Sequence, residues 1–224
     1  MTTQVVVQIF RWGVALAAIA IVVRQCRKPL GWPGRAVAWG MNRSHSGLTD
    51  WGLTHVRVEP DFTILDVGCG GGRTIQKLAA AASRGHVYGV DYSAASVAEA
   101  RRTNAGAPRV EIQQATVSRL PFSDATFDLV TAVETHYYWP DLTNDLREIL
   151  RVLKPGGRLV IIAEAYKGRQ FDVVLPVMLL LGARYLTVDE HRGMLDAAGY
   201  AEIAIDVDAK KGWICARGSK PFAG

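Results

Sequence analysis

The sequence predicts an α/β protein: a doubly wound parallel sheet whose last strand runs antiparallel, preceded by an apolar helical arm. Three observations carry this prediction. From residue 60 onward, short β-rich runs alternate with segments of helical period. Several strand runs are apolar throughout rather than alternating, as parallel strands covered on both faces are. The last two strand runs are separated by a turn instead of a helix, so the final strand must return as a hairpin.

The strand runs lie at 63–67 (TILDV), 86–91 (HVYGVD), 109–114 (RVEIQQ), 127–133 (FDLVTAV), 157–164 (GRLVIIAE), 200–207 and 211–216. Helical segments fall at about 73–83, 94–104, 141–152 and 187–198. The stretch Asp206-Val207-Asp208-Ala209-Lys210 reads as the turn of the closing hairpin. Together these make a Rossmann-like, seven-stranded domain over residues 61–224. Ahead of it, Thr49 or Asp50 is placed to cap a helix beginning near Trp51.

The chain has 224 residues, 49% hydrophobic and 21% charged, enough for one domain with a real core. That apolar content excludes disorder, and the lack of a 20–50-residue period excludes solenoids and propellers. Cys26, Cys69 and Cys215 lie far apart with no CxxC pair, which suits a reducing compartment and a cytoplasmic location. The net charge of +5 is unevenly placed. Residues 1–49 carry six basic side chains and no acidic one, while the remaining 175 residues carry 20 basic and 21 acidic. A neutral body argues against nucleic acid as a partner. No cluster of His, Cys, Asp and Glu has metal-ligand spacing, so no metal is expected. A G-x-S-x-G elbow is absent as well, so hydrolase chemistry is unsupported.

The arm occupies residues 1–35. Within it, 5–23 read VVVQIFRWGVALAAIAIVV, followed by Arg24, Arg27 and Lys28 and a linker containing Pro29, Gly31, Pro33 and Gly34. The run approaches spanning length, but Arg11 near its middle would cost roughly 2.5–3.5 kcal/mol in a bilayer. Three readings stay open: a marginal span, an interfacial helix with its basic residues on headgroups, or a helix packed on protein. A span would leave the body on the cytoplasmic face, and either membrane reading makes residues 5–28 a membrane-surface contact.

The strongest motif is LDVGCGGGR at 65–73, following a strand and opening a helix. Glycines there let the backbone turn sharply and present main-chain N–H groups to a ligand. The nicotinamide spacing G-x-G-x-x-G fails, because its third glycine would fall on Arg73. What stands instead is Asp66-x-Gly68-x-Gly70-x-Gly72. Asp91 closes the next strand, where a carboxylate can accept from both hydroxyls of a ribose. Tyr92 follows and can lay its ring along an adenine face.

At this point the sequence resembles the class I S-adenosylmethionine-dependent methyltransferases, especially the small-molecule group called type 11. LDVGCGGG, VYGVDYS, ATVSRLPFSDATFDLVTAVET at 115–135 and LREILRVLKPGGRLVI at 146–161 occur in the family's order and spacing. The resemblance covers about residues 50–217. It implies a seven-stranded sheet with an antiparallel last strand, and S-adenosyl-L-methionine as cofactor. It also implies that Asp66, Gly68 and Gly70 hold the methionine end, Asp91 the ribose, and Tyr92 or Ser93 the adenine flank. The family's usual Gly-Asp-Ala before Leu-Pro-Phe is here Ala115-Thr116-Val117, so a Thr116 hydroxyl and the Val117 N–H replace a carboxylate at the adenine edge. Val133 and Glu134 are implied beside the sulfonium. Residues 36–60 are implied to fold over the cofactor as a lid, with His45 as a secondary base candidate.

The loop Glu134-Thr135-His136-Tyr137-Tyr138-Trp139-Pro140 lies at the carboxyl edge, where open α/β sheets bind ligands. It lacks the Asn-Pro-Pro-Tyr pattern of enzymes that methylate nucleobase or glutamine nitrogens. His136 is the leading base candidate, its alternative being a packed histidine bonded to a carbonyl. Tyr137, Tyr138 and Trp139 either line a substrate pocket or fill the helix–sheet interface. The leucine-rich stretch within 171–185 either roofs an apolar substrate, touches a bilayer or packs internally. The expected function is methyl transfer to a small, apolar or weakly polar acceptor. The rival is a catalytically weak cofactor-binding scaffold at a membrane.

Overall fold

The computed structural model describes residues 46–164, 166–168 and 182–222. The elements run α1 (Ser46–Leu53), β1 (Thr63–Val67), α2 (Arg73–Ala81), β2 (His86–Asp91), α3 (Ala94–Thr103), β3 (Val110–Gln114) and β4 (Phe127–Val133). A 3-10 turn (His136–Tyr138), α4 (Leu142–Val152), β5 (Leu153–Ala163), α5 (Val188–Ala198), β6 (Ala201–Asp208) and β7 (Trp213–Ser219) follow. The arm at 5–28, His45 and the leucine-rich 174–181 lie outside the described residues. Among the described residues, no helix is long and apolar enough to cross a membrane.

Seven strands form one sheet in the order β3-β2-β1-β4-β5-β7-β6. The first five pair in parallel, while β7 runs antiparallel to both β5 and β6. Apolar runs in the central strands have a simple cause: both faces are covered. On one face Ile64, Val87, Leu129, Val160 and Ile162 pack with Leu48 of α1, Ile75 and Leu78 of α2, and Val97 and Ala100 of α3. On the other, Leu65, Val67, Val130 and Leu159 pack with Leu146 and Ile149 of α4 and Met194 and Leu195 of α5.

Local chemistry sets the helix ends. Ser93 accepts from Ser96 N at the start of α3, and Asp141 accepts from Asn144 N at the start of α4. A Thr187–Glu190 capping box opens α5, and Gly199 at φ +95° closes it.

Two boundaries differ most from the sequence reading. The first helix starts at Ser46, so Thr49 and Asp50 lie inside it rather than at its cap, and Thr49 is buried. The helix sits close against β5: a Cβ on Gly52 would fall 2.4 Å from Ile162 Cδ1. β5 begins at Leu153, which pairs with Phe127 before an irregularity, although Lys154-Pro155-Gly156-Gly157 looks like a turn.

Candidate active site

The order of the sheet reverses between β1 and β4, and crossovers leave the two strands in opposite directions there. A cavity of about 380 Å³ opens at their carboxyl ends. Its floor is the glycine loop. Gly68, Gly70 and Gly72 all have positive φ, at +72°, +52° and +82°. Gly68 N and Cys69 N both donate to the Val90 carbonyl, at 2.8 and 3.0 Å, which folds the loop back over β2. A Cβ at Gly68 would lie 2.2 Å from Thr135 Oγ1, so the loop and the segment after β4 meet where no side chain fits. At Gly70 a Cβ would meet nothing within 4 Å, because that side is open.

Two carboxylates are buried at this floor. Asp91 accepts from Gly70 N (3.0 Å) through Oδ2 and from Ser93 N (2.8 Å) through Oδ1. Burial raises its pKa, and the Ser93 and Gly70 N–H groups pull it back down. Asp66 is 2% exposed and accepts from the Thr131 hydroxyl at 2.6 Å. Burial, opposed by that hydrogen bond and reinforced by the Asp91 charge, pushes Asp66 up to about 7. Burial likewise raises the Cys69 thiol well above its ordinary value, with the Asp66 and Asp91 charges adding to it.

Asp66, Gly68, Gly70, Asp91, Tyr92, Thr116, Val117 and Val133 all border this one cavity, as do Glu134 and Tyr138. Tyr92 is half-exposed at the rim, and Thr116 sits in a tight turn bridged to Arg119. Glu134 holds φ +57°, unusual for a residue with a side chain, and its Oε1 accepts from the Tyr137 hydroxyl (3.1 Å) and from Glu164 N.

The expectation of a base at His136 needs correction. Its side chain is 0% exposed, does not face the cavity, and sits against His191 of α5. Tyr137 is also buried away from the cavity, so within the 3-10 turn Tyr138 alone reaches it.

Sequence reasoning missed several bordering residues. Arg73 and Lys77 stand one helical turn apart at the start of α2, a spacing that follows directly from the glycine loop. Lys77 Nζ binds Ser46 Oγ (2.9 Å), the Ser46 carbonyl (3.0 Å) and Asp50, which ties α1 to the rim. Ser46, Thr49 and Pro140 border the cavity too, alongside Trp139, which the sequence already offered as a pocket aromatic. Among the described residues, no group of three or more His, Cys, Asp or Glu is placed to hold a metal ion.

Residues 65–161 match the family described as a methyltransferase domain. Methyltransferase GfsG of Streptomyces halstedii is 30% identical over 176 residues, covering 75% of this chain and 63% of that protein. The demethylmenaquinone methyltransferase of Clavibacter sepedonicus is 43% identical over 98 residues, 44% of this chain and 39% of that one. The chain thus spans less than two thirds of the length of these relatives. A solved S-adenosylmethionine-dependent methyltransferase from Aquifex aeolicus superposes with a TM-score of 0.70 at 21% identity, over 83% of this chain and 98% of that one, which shows a shared fold. Motif order, sheet order and the family match over residues 65–161 agree in supporting a class I S-adenosylmethionine-dependent methyltransferase domain.

Proposed function

We propose that the chain transfers a methyl group from S-adenosyl-L-methionine to a small, apolar or weakly polar acceptor. The observation that carries this reading is a single cavity bordered both by the glycine loop with Asp66 and Asp91 and by the aromatic wall Tyr138–Pro140. In this reading Asp91 accepts from the ribose hydroxyls, and Tyr92 flanks the adenine. Thr116 and the Val117 N–H meet the edge of the base. Asp66, with main-chain groups of Gly68 and Gly70, holds the charged methionine end. The cofactor, when bound, supplies an electrophilic methyl on a sulfonium. Val133, Glu134 and Tyr138 then border the acceptor, and the chain's contribution is alignment and exclusion of water. Glu134 is the carboxylate at that wall, and a charged acceptor lodged against the rings would lose hydration without gaining many partners. Relatives whose names specify demethylmenaquinone and 27-O-demethylrifamycin SV are consistent with an acceptor of this kind.

A panel of phenols, thiols, amines and halides, incubated with S-adenosylmethionine and followed by mass, tests the reading. Methylation of one uncharged class is expected. Activity confined to polyanions, nucleic acid or protein would overturn it.

The location of the protein is a separate proposal, and it rests on sequence. The nineteen nearly apolar positions at 5–23, with three basic residues after them, support an anchor on the cytoplasmic face of a membrane. The full chain is expected to sediment with anionic liposomes, and a form starting at Pro29 to stay in solution. Release by high salt would identify an interfacial helix. Equal behaviour of the two forms would leave the arm as a packing element.

A further inference from the structure

The aromatic wall of the cavity is held from behind by two buried histidines. His136 opens the 3-10 turn and His191 lies on α5; both side chains are 0% exposed, and their Nε2 atoms stand 3.1 Å apart. Two neutral imidazoles meet in this way when one Nε2 carries a hydrogen and the other does not. His191 Nδ1 is 2.7 Å from the Thr187 carbonyl oxygen, so it donates there and its Nε2 is left as an acceptor. His136 therefore carries its hydrogen on Nε2 and donates to His191. That leaves His136 Nδ1 a buried acceptor with no hydrogen-bond partner among the described residues.

We propose that this histidine pair is a positioning latch for methyl transfer: it holds the Tyr138–Pro140 wall while both rings are neutral and releases it when either takes up a proton. The inference rests on reading that wall as the acceptor side. A proton on His191 Nε2 sets donor against donor across 3.1 Å. A proton on His136 Nδ1 creates a buried cation with no acceptor among the described residues.

Among the described residues, the surroundings do not compensate for either charge. Glu190, on the same helix as His191, favours its protonation, but that carboxylate already accepts from Thr187 N and also feels Lys167. From the turn, Tyr137 lies ring to ring with His136 at 4.3 Å and commits its hydroxyl to Glu134. From the 182–187 segment, Arg184 donates its guanidinium to the Pro140 carbonyl. From α4, Asp145 accepts from Asp141 N. Tyr138, Tyr166 and Tyr185 pack in the same cluster as Tyr137. Burial, aided by the His191 charge, holds His136 well below the ordinary histidine value, and burial holds His191 below it as well. The latch is consequently closed at pH 7.5 and opens as acid is added.

Amide hydrogen exchange of Thr135–Trp139 in the full chain, at pH 7.5 and 5.5 and corrected for intrinsic chemistry, tests this. A histidine that is neutral when closed and titrates near 6.5 when open should raise opening about tenfold between these pH values, and two should raise it about a hundredfold. Amides of β1 and β4 should stay protected far longer at both pH values. His136→Gln should abolish the response, because an amide can donate to neutral His191 or flip and accept from its protonated form. The double variant His136→Phe/His191→Leu replaces the pair with apolar packing and should be equally insensitive, should the glutamine fail to fold. Nitrogen-15 spectra of the imidazoles should show His191 protonated at Nδ1 and His136 at Nε2. Flat protection in the unmodified protein, an undiminished response in the variants, or reversed tautomers would overturn the latch. Binding of S-adenosylhomocysteine to the unmodified protein at pH 7.5, measured alongside, decides the functional reading independently.

Discussion

Replacing Asp91 with alanine is expected to weaken S-adenosylhomocysteine binding by two orders of magnitude or more while leaving the protein folded. In the proposed site its carboxylate accepts from two ribose hydroxyls, and hydrogen bonds to a charged group contribute roughly 1.5–3 kcal/mol each. The structure adds a second loss. Asp91 also accepts from Gly70 N and Ser93 N, so the substitution releases the floor of the cavity along with the ribose contact. Folding should survive, because the pairing of β2 with β1 and β3 uses main chain. Asp91→Asn, which keeps one acceptor oxygen, should fall between the two. Titration calorimetry measures all three proteins, and an alanine variant with unchanged affinity would remove the ribose assignment.

Asp66→Asn should do two opposite things: stabilise the unliganded protein above pH 7 and weaken cofactor binding more than tenfold. An aspartate in the unfolded chain ionises near 3.9. Folded Asp66 keeps its proton until about 7. Between these values the folded state holds more protons than the unfolded one, so stability falls as pH rises and levels off above 7. Asparagine removes that buried charge and can still accept from Thr131. The gain at pH 8 is on the order of a few kcal/mol, or roughly 5 °C or more in melting temperature, and it should vanish near pH 4. In the proposed site, the loss of binding follows from losing the carboxylate that faces the cationic end of the cofactor. Melting curves of both proteins at pH 4 and 8 check the first effect; equal curves at pH 8 would mean the buried charge is already compensated. Such a pairing of instability with function is common where a site must be ready for a charge it does not yet hold.

Most of the fold was legible because apolar runs and breakers alternate cleanly. β1, β2 and β4 match their sequence runs residue for residue, and the hairpin before the last strand follows from a turn with no room for a helix. The glycine loop and Asp91 were legible for a different reason: positive φ and a strand-end carboxylate leave few residue choices. The loop after β4 was located but its side chains were not. In a 3-10 turn three consecutive residues point in three directions, and nothing in His-Tyr-Tyr shows that Tyr138 reaches the cavity while His136 is buried against α5. The start of α1 was missed because Ser46–Leu53 carries little apolar periodicity; what holds it is the fit of Gly52 on Ile162 and the Lys77 bonds to Ser46. Neither is local in sequence.

The reversal between β1 and β4 has a mechanical meaning. One half of the sheet, β1 to β3 with α2 and α3, contributes the glycine loop, Asp91 and Thr116; the other, from β4 on, contributes Val133–Thr135 and Tyr138–Pro140. A molecule lying in the cavity touches both, and so acts as a non-covalent staple across the seam where two separately wound halves meet. Occupancy at one hundred times the dissociation constant stabilises a fold by about 2.7 kcal/mol. Here that energy falls on the junction itself. The bound protein should therefore resist separation of the two halves along that seam more than the empty one does.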